Sequence, residues 1–160
     1  MTNVAPPAAG RTHEFITHSG ADTIEVGRKL ARLLLPPQLL ILRGDLGTGK
    51  TTLVKGIAQA LDAAEPDEVT SPTFTLLHEY RGSQDGQPVK LFHLDVYRLE
   101  GERQLESLGL DELVTPDALV LVEWGEKFKS IRKRCSGEIV ITAEGGDARK
   151  ITVTLKDMKE

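Results

Sequence analysis

Between Leu39 and Leu61 the chain passes from a wholly apolar run, Leu39-Leu40-Ile41-Leu42, into Gly44-Asp45-Leu46-Gly47-Thr48-Gly49-Lys50-Thr51 and then into an amphipathic stretch. A short apolar run predicts a strand covered on both faces, which belongs in a sheet with helices above and below it. From Thr52 to Leu61, the residues Leu53, Val54, Ile57, Ala58 and Leu61 fall on one side of a helix. Strand, glycine-rich turn and helix in this order fit G-x-x-x-x-G-K-[ST], a loop that holds phosphates. Several consecutive backbone N–H groups must turn inward around anionic oxygens, and side chains would block some of the conformations this requires. The helix beyond adds the positive end of its dipole.

This reading assigns nucleotide contacts to Asp45, Leu46, Gly47, Thr48, Gly49, Lys50, Thr51 and Thr52. Lys50 would lie along the β and γ phosphates, and the Thr51 hydroxyl would ligate Mg2+. The chain has no Asn-Lys-x-Asp element of the kind that selects guanine, which favours ATP. A second magnesium-side group is then needed. Glu123 follows the apolar run Ala118-Leu119-Val120-Leu121-Val122 and should emerge at the end of a buried strand beside the loop. There it would hold a magnesium-bound water or polarise the attacking water. Asp95, in Leu94-Asp95-Val96-Tyr97-Arg98, is a carboxylate in a strand-like run, expensive to bury unless Mg2+ or Arg98 compensates it. Lys50, Asp95 and Glu123 are therefore the candidate catalytic residues, and Thr51, Asp95 and Glu123 the candidate metal-side residues. His93 would share a strand face with Asp95, but two such residues do not make a transition-metal site. Ser71-Pro72-Thr73-Phe74 reads either as a loop that senses the γ phosphate or as a cap and turn. Thr17 and Thr23 either flank the base or serve ordinary capping and packing.

Elsewhere, residues 1–12 are rich in Pro, Ala and Gly and are expected to form a loose tail, with a single domain over 13–160. A short strand is predicted over 13–18, then a helix capped by Ser19 that buries Ile24, Gly27, Leu30, Ala31 and Leu34. Residues 75–80 and 90–99 suggest a hairpin-like pair around Asp85-Gly86-Gln87-Pro88, and 105–113 a short helix. The segments 138–143 and 150–156 should pair antiparallel. The expected fold is thus α/β, a mixed sheet flanked by helices with a C-terminal antiparallel strand pair. A formal charge of −4 supplies no broad basic field for nucleic acid, leaving Lys127–Arg134 as the one dense basic run. The single cysteine, the absence of a signal-like start and the lack of a long apolar segment point to a cytoplasmic protein without a membrane partner.

Taken in order, GDLGTGKTTLVKGIA, SPTFTLLHEY, HLDVYRL, LGLDEL and LVEWGEK resemble, over roughly residues 13–156, the small bacterial P-loop ATPases of tRNA threonylcarbamoyladenosine biosynthesis, the TsaE family. The resemblance implies a magnesium-dependent ATPase that serves a two-subunit threonylcarbamoyl-transferase complex acting on adenosine 37 of tRNA, with the tRNA reached through that complex. It implies phosphate and magnesium contacts at Lys50 and Thr51, magnesium support at Asp95 and hydrolysis at Glu123. It also implies a switch at Ser71–Phe74, an active-site neighbour at Trp124, and an adenine-side region near Thr17 and Thr23. The alternatives are a small-molecule P-loop kinase and a nucleotide-dependent interaction module.

Overall fold

The computed structural model describes residues 11–156, so most of the expected tail lies outside the described residues. Strand β1 (Arg11–Thr17) begins two residues inside that tail and leads into helix α1 (Gly20–Leu33). Ser19 caps α1, its hydroxyl accepting from the Asp22 N–H at 3.0 Å, while the Asp22 carboxylate reaches back to the His18 N–H. Strand β2 (Gln38–Gly44) runs into the glycine-rich turn, and helix α2 (Lys50–Ala60) follows. Strands β3 (Leu77–Gln84) and β4 (Gln87–Asp95) form the expected hairpin. Its two-residue turn, Asp85 and Gly86, has φ of 52° and 81°, the positive values such a turn requires.

β4 ends at Asp95, four residues earlier than the sequence suggests. The Asp95 carboxylate accepts the N–H of Tyr97 at 2.9 Å, a side-chain turn that takes the backbone out of the sheet. The helix expected over 105–113 is two pieces, α3 (Glu102–Leu108) and α4 (Leu110–Leu113), divided at Gly109, whose φ is 81°. Strand β5 (Ala118–Glu123), helix α5 (Lys129–Arg134) and strands β6 (Gly137–Ala143) and β7 (Arg149–Leu155) complete the described chain.

The seven strands form one mixed sheet in the order β1-β7-β6-β2-β5-β4-β3. The four central strands, β6, β2, β5 and β4, are parallel, and β3 and β7 flank them antiparallel. One face packs Leu40, Leu42, Leu119 and Leu121 against α1 and α2, and the other packs Leu39, Ile41, Val120 and Val122 against α3 to α5. This double coverage is why β2 and β5 read as continuous apolar runs.

Helices α1 and α2 meet through glycine. A Cβ on Gly56 would sit 2.0 Å from the Ile24 carbonyl oxygen, and one on Gly27 would sit 2.3 Å from that of Leu53. The two backbones are therefore in direct contact, which seats α2 and the loop before it against the rest of the fold.

Candidate functional site

The carboxyl ends of β2, β5 and β4 lie side by side, the place where open α/β sheets bind ligands. The loop leaves β2 at Gly44. Gly47 and Gly49 have φ of 81° and 108°, left-handed values that only glycine adopts without strain. Thr48 is buried beneath the loop, its hydroxyl donating to the Asp45 carbonyl at 2.8 Å. Arg149, at the start of β7, donates from Nε to the Thr48 carbonyl at 3.0 Å and braces the loop from the opposite end of the sequence. Lys50 folds back along the loop, with Nζ bonded to the Gly44 carbonyl oxygen and 4.0 Å from Glu123 Oε1.

Asp95 and Glu123 are register partners on β4 and β5, and both are buried. In a parallel pair, residues in register point to the same side, so the two carboxylates stand together at the ends of their strands. Of the two partners considered for Asp95, magnesium or Arg98, the second does not pair with it: the Arg98 guanidinium lies over the Phe74 ring at 4.6 Å, and the Asp95 carboxylate accepts the Tyr97 N–H. Glu123 Oε2 instead bonds His93 Nε2 at 2.6 Å.

A cavity of about 520 Å³ opens over these groups. Of the residues expected to contact a nucleotide, Leu46, Gly47, Gly49, Lys50, Thr51 and Thr52 line it, together with Asp95 and Glu123. Asp45 and Thr48 do not. Thr17 and Thr23 lie outside its walls as well: both are buried and share a hydroxyl bond of 3.1 Å, with the Thr23 methyl about 4.0 Å from where a Gly49 Cβ would stand. Ser71, Thr73, Tyr97 and Trp124 complete the lining. Trp124 turns the chain out of β5 with φ of 66°, uncommon for so bulky a residue, and its ring lies 4.9 Å from that of Tyr97.

The Ser71–Phe74 segment is tied at both ends. Lys55, on α2, donates to the carbonyls of Pro66 at 2.6 Å and Val69 at 3.0 Å. The His78 ring brackets the segment, Nδ1 donating to the Thr70 carbonyl at 3.2 Å and Nε2 lying 2.8 Å from the Thr75 hydroxyl. Nearby, burial raises the Tyr80 hydroxyl above its ordinary pKa, opposed by hydrogen bonding to the Thr70 backbone.

Four of these anchors, Lys55, His78, His93 and Arg149, are absent from the sequence-level assignment. A histidine in an apolar strand and a carboxylate at the end of another each need a partner when buried. That signal was present for His93 and Glu123. None was present for Arg149, which acts on a carbonyl 101 positions away.

The basic run is only partly free. Lys127 bonds the Tyr97 and Leu99 carbonyls, Arg132 the Glu126 carbonyl, and Arg134 pairs with Asp111. Among the described residues, no helix is long and apolar enough to cross a membrane.

A glycine-rich loop between a central parallel strand and a helix, with two carboxylates on neighbouring strand ends, defines a phosphate-binding-loop protein of the α/β class. The family model described as threonylcarbamoyl adenosine biosynthesis protein TsaE matches residues 17–151. The chain belongs to the TsaE family. It is 41% identical over 133 residues to the tRNA threonylcarbamoyladenosine biosynthesis protein TsaE of Bacillus subtilis, covering 83% of this chain and 79% of that one. It is 36% identical over 138 residues to the Treponema pallidum protein of the same name, covering 86% and 97%. The crystal structure of Bacillus subtilis YdiB superposes with a TM-score of 0.65 at 32% identity, covering 92% of this chain and 87% of that one.

Proposed function

We propose that the chain binds ATP with magnesium in this cavity and hydrolyses it, supporting threonylcarbamoyl transfer to adenosine 37 of tRNA by a two-subunit partner complex in the cytoplasm. The observation that carries the reading is the convergence of the loop, Lys50 and the register-paired Asp95 and Glu123 on one cavity. The left-handed glycines let the loop backbone wrap anionic oxygens, and the N-terminal end of α2 adds its dipole. Lys50 reaches the β and γ phosphates by exchanging its bond to the Gly44 carbonyl.

The donors beside the loop fit magnesium. Among the described residues no group of three or more His, Cys, Asp or Glu gathers to hold a metal. Magnesium bound with a nucleotide needs only one or two carboxylates, since phosphates and waters fill its other positions. Thr51, Asp95 and Glu123, which all line the cavity, would supply a hydroxyl and two carboxylates to hold it. When bound, the ion neutralises charge that develops on the phosphates. Glu123, which lines the cavity with Oε1 4.0 Å from Lys50 Nζ, would orient the attacking water directly or together with the ion. The products are ADP and phosphate.

The rim supports a site completed by a partner. Leu46 is 100% exposed and Phe74 81%, and Tyr97 and Trp124 are exposed beside them. Leu46, Tyr97 and Trp124 also line the cavity, and exposed apolar side chains gathered at its mouth suit a protein interface. The Ser71–Phe74 segment, which lends Ser71 and Thr73 to the cavity and holds Phe74 exposed, would couple nucleotide to partner.

The test is phosphate release from ATP by the chain alone and with its transferase pair, for wild type and Glu123→Gln. Stimulated release that the variant loses, while still binding nucleotide, is the expected result. A complex that forms without stimulating release would refute the coupling, and phosphate passed to a small acceptor would favour a kinase instead.

A further inference from the structure

Glu123 does not meet the cavity alone. Its Oε2 lies 2.6 Å from His93 Nε2, on the neighbouring strand two residues before Asp95. The His93 side chain is fully buried, and its other ring nitrogen, Nδ1, has no hydrogen-bond partner among the described residues. The second carboxylate oxygen, Oε1, is the one 4.0 Å from Lys50.

Packing gives no reason for a histidine here. Val89 and Leu91, which precede His93 on the same face of β4, belong to the apolar core beneath α1 and α2. An apolar side chain would continue that face and leave no buried nitrogen unpaired. What the ring does provide is one N–H directed at one carboxylate oxygen. The terminal torsion of a glutamate is broad and soft, so an unrestrained Glu123 would turn freely between Lys50 and the cavity. A donor on a fully buried ring removes that freedom with a charge-assisted bond.

We propose that His93 is a positioning residue for Glu123. It donates from Nε2 to Oε2, fixes the plane of the carboxylate, and leaves Oε1 as the single oxygen presented to the magnesium and water side of the cavity. His93 touches no reacting atom itself. The inference rests on the role given to Glu123 above, and makes that role depend on a residue 30 positions away in sequence.

Two variants separate positioning from packing. His93→Leu keeps an apolar filling of similar size without a donor, and His93→Gln retains an N–H near the place of Nε2. Steady-state phosphate release with the transferase pair gives kcat and KM. Equilibrium titration with a fluorescent ATP analogue and magnesium gives Kd, and thermal unfolding reports on the fold.

In His93→Leu, kcat should fall by roughly ten- to a hundredfold, as for loss of a group that orients a metal-side ligand. Its Kd and KM should stay within about twofold, because the loop contacts survive. His93→Gln should recover most of the lost kcat. Wild-type kcat in a folded His93→Leu, beside an inactive Glu123→Gln, would overturn the positioning role and leave the reading of Glu123 standing. Equal losses in both His93 variants, tracking weaker binding and a lower Tm, would make His93 purely structural and also overturn it. Undiminished hydrolysis by Glu123→Gln would remove the reading of Glu123 itself, and this inference with it.

Discussion

Replacing Gly56 by alanine adds one methyl group where α1 and α2 cross. The new Cβ would stand 2.0 Å from the Ile24 carbonyl oxygen and 2.8 Å from its carbon, where ordinary contact begins at 3.4 Å. The shortfall of about 1.4 Å falls on main-chain atoms, which have no rotamer to change, so the helices must separate. Alanine is the better helix former by ~0.5–1 kcal/mol, whereas forcing an extra carbon into a packed core costs ~1–3 kcal/mol, here at the upper end. The net loss should be about 2 kcal/mol, or roughly 4–8 °C in Tm for a chain of this size. Urea unfolding measures it. Gly20→Ala, where a Cβ meets nothing within 4 Å, is the control and should be neutral or slightly stabilising. Because α2 begins with Lys50 and Thr51, nucleotide affinity should fall with stability in Gly56→Ala but not in the control. A Gly56→Ala protein as stable as wild type would refute the close-contact argument.

Lys55→Met removes the donor that ties α2 to the Pro66 and Val69 carbonyls. Hydrogen bonds from a charged group are worth ~1.5–3 kcal/mol, so the segment beyond should open more often. Hydrogen exchange over residues 70–76 should accelerate, and unchanged exchange would show that the segment is held by other contacts. Glu102 is held below its ordinary pKa of 4.5, chiefly by the Ser130 hydroxyl, which donates to it at 2.6 Å. A depressed carboxylate stabilises the fold above its unfolded pKa and loses that contribution as pH falls through its lower folded value. Ser130→Ala should move Glu102 upward in a carboxyl NMR titration and weaken the fall in stability below about pH 4.5; an unmoved Glu102 would assign the shift to its other neighbours.

The loop was legible because everything that makes it is local. Four apolar residues, glycines at 47 and 49, and a helical repeat over 53–61 lie within one short stretch, and each has the same meaning in any tertiary context. The hairpin and the C-terminal strand pair were legible for the same reason. Boundaries are less so: the sequence extends β4 beyond Asp95 because nothing local shows that the Asp95 side chain takes up the Tyr97 N–H. The sequence predicts a single helix over 105–113 because a glycine is tolerated within a helix, and only the φ of 81° at Gly109 divides it. Proximity in sequence allows Asp95 to pair with Arg98, but β4 ends between them and Arg98 turns to Phe74.

By itself the sequence determined the strand, turn and helix of the phosphate loop, the alternation of covered strands and helices, and the residue types available at the strand ends. Those features depend on backbone preferences and apolar periodicity over a few residues. The tertiary structure decided which strands are neighbours, and therefore that Asp95 stands in register with Glu123, that His93 holds one Glu123 oxygen, and that Arg149 supports the loop. Parallel pairing joins segments far apart in the chain, and a shift of one residue would turn each side chain to the opposite face. Only the packed sheet, with α1 and α2 drawn together through Gly27 and Gly56, selects the register that brings these groups to one cavity.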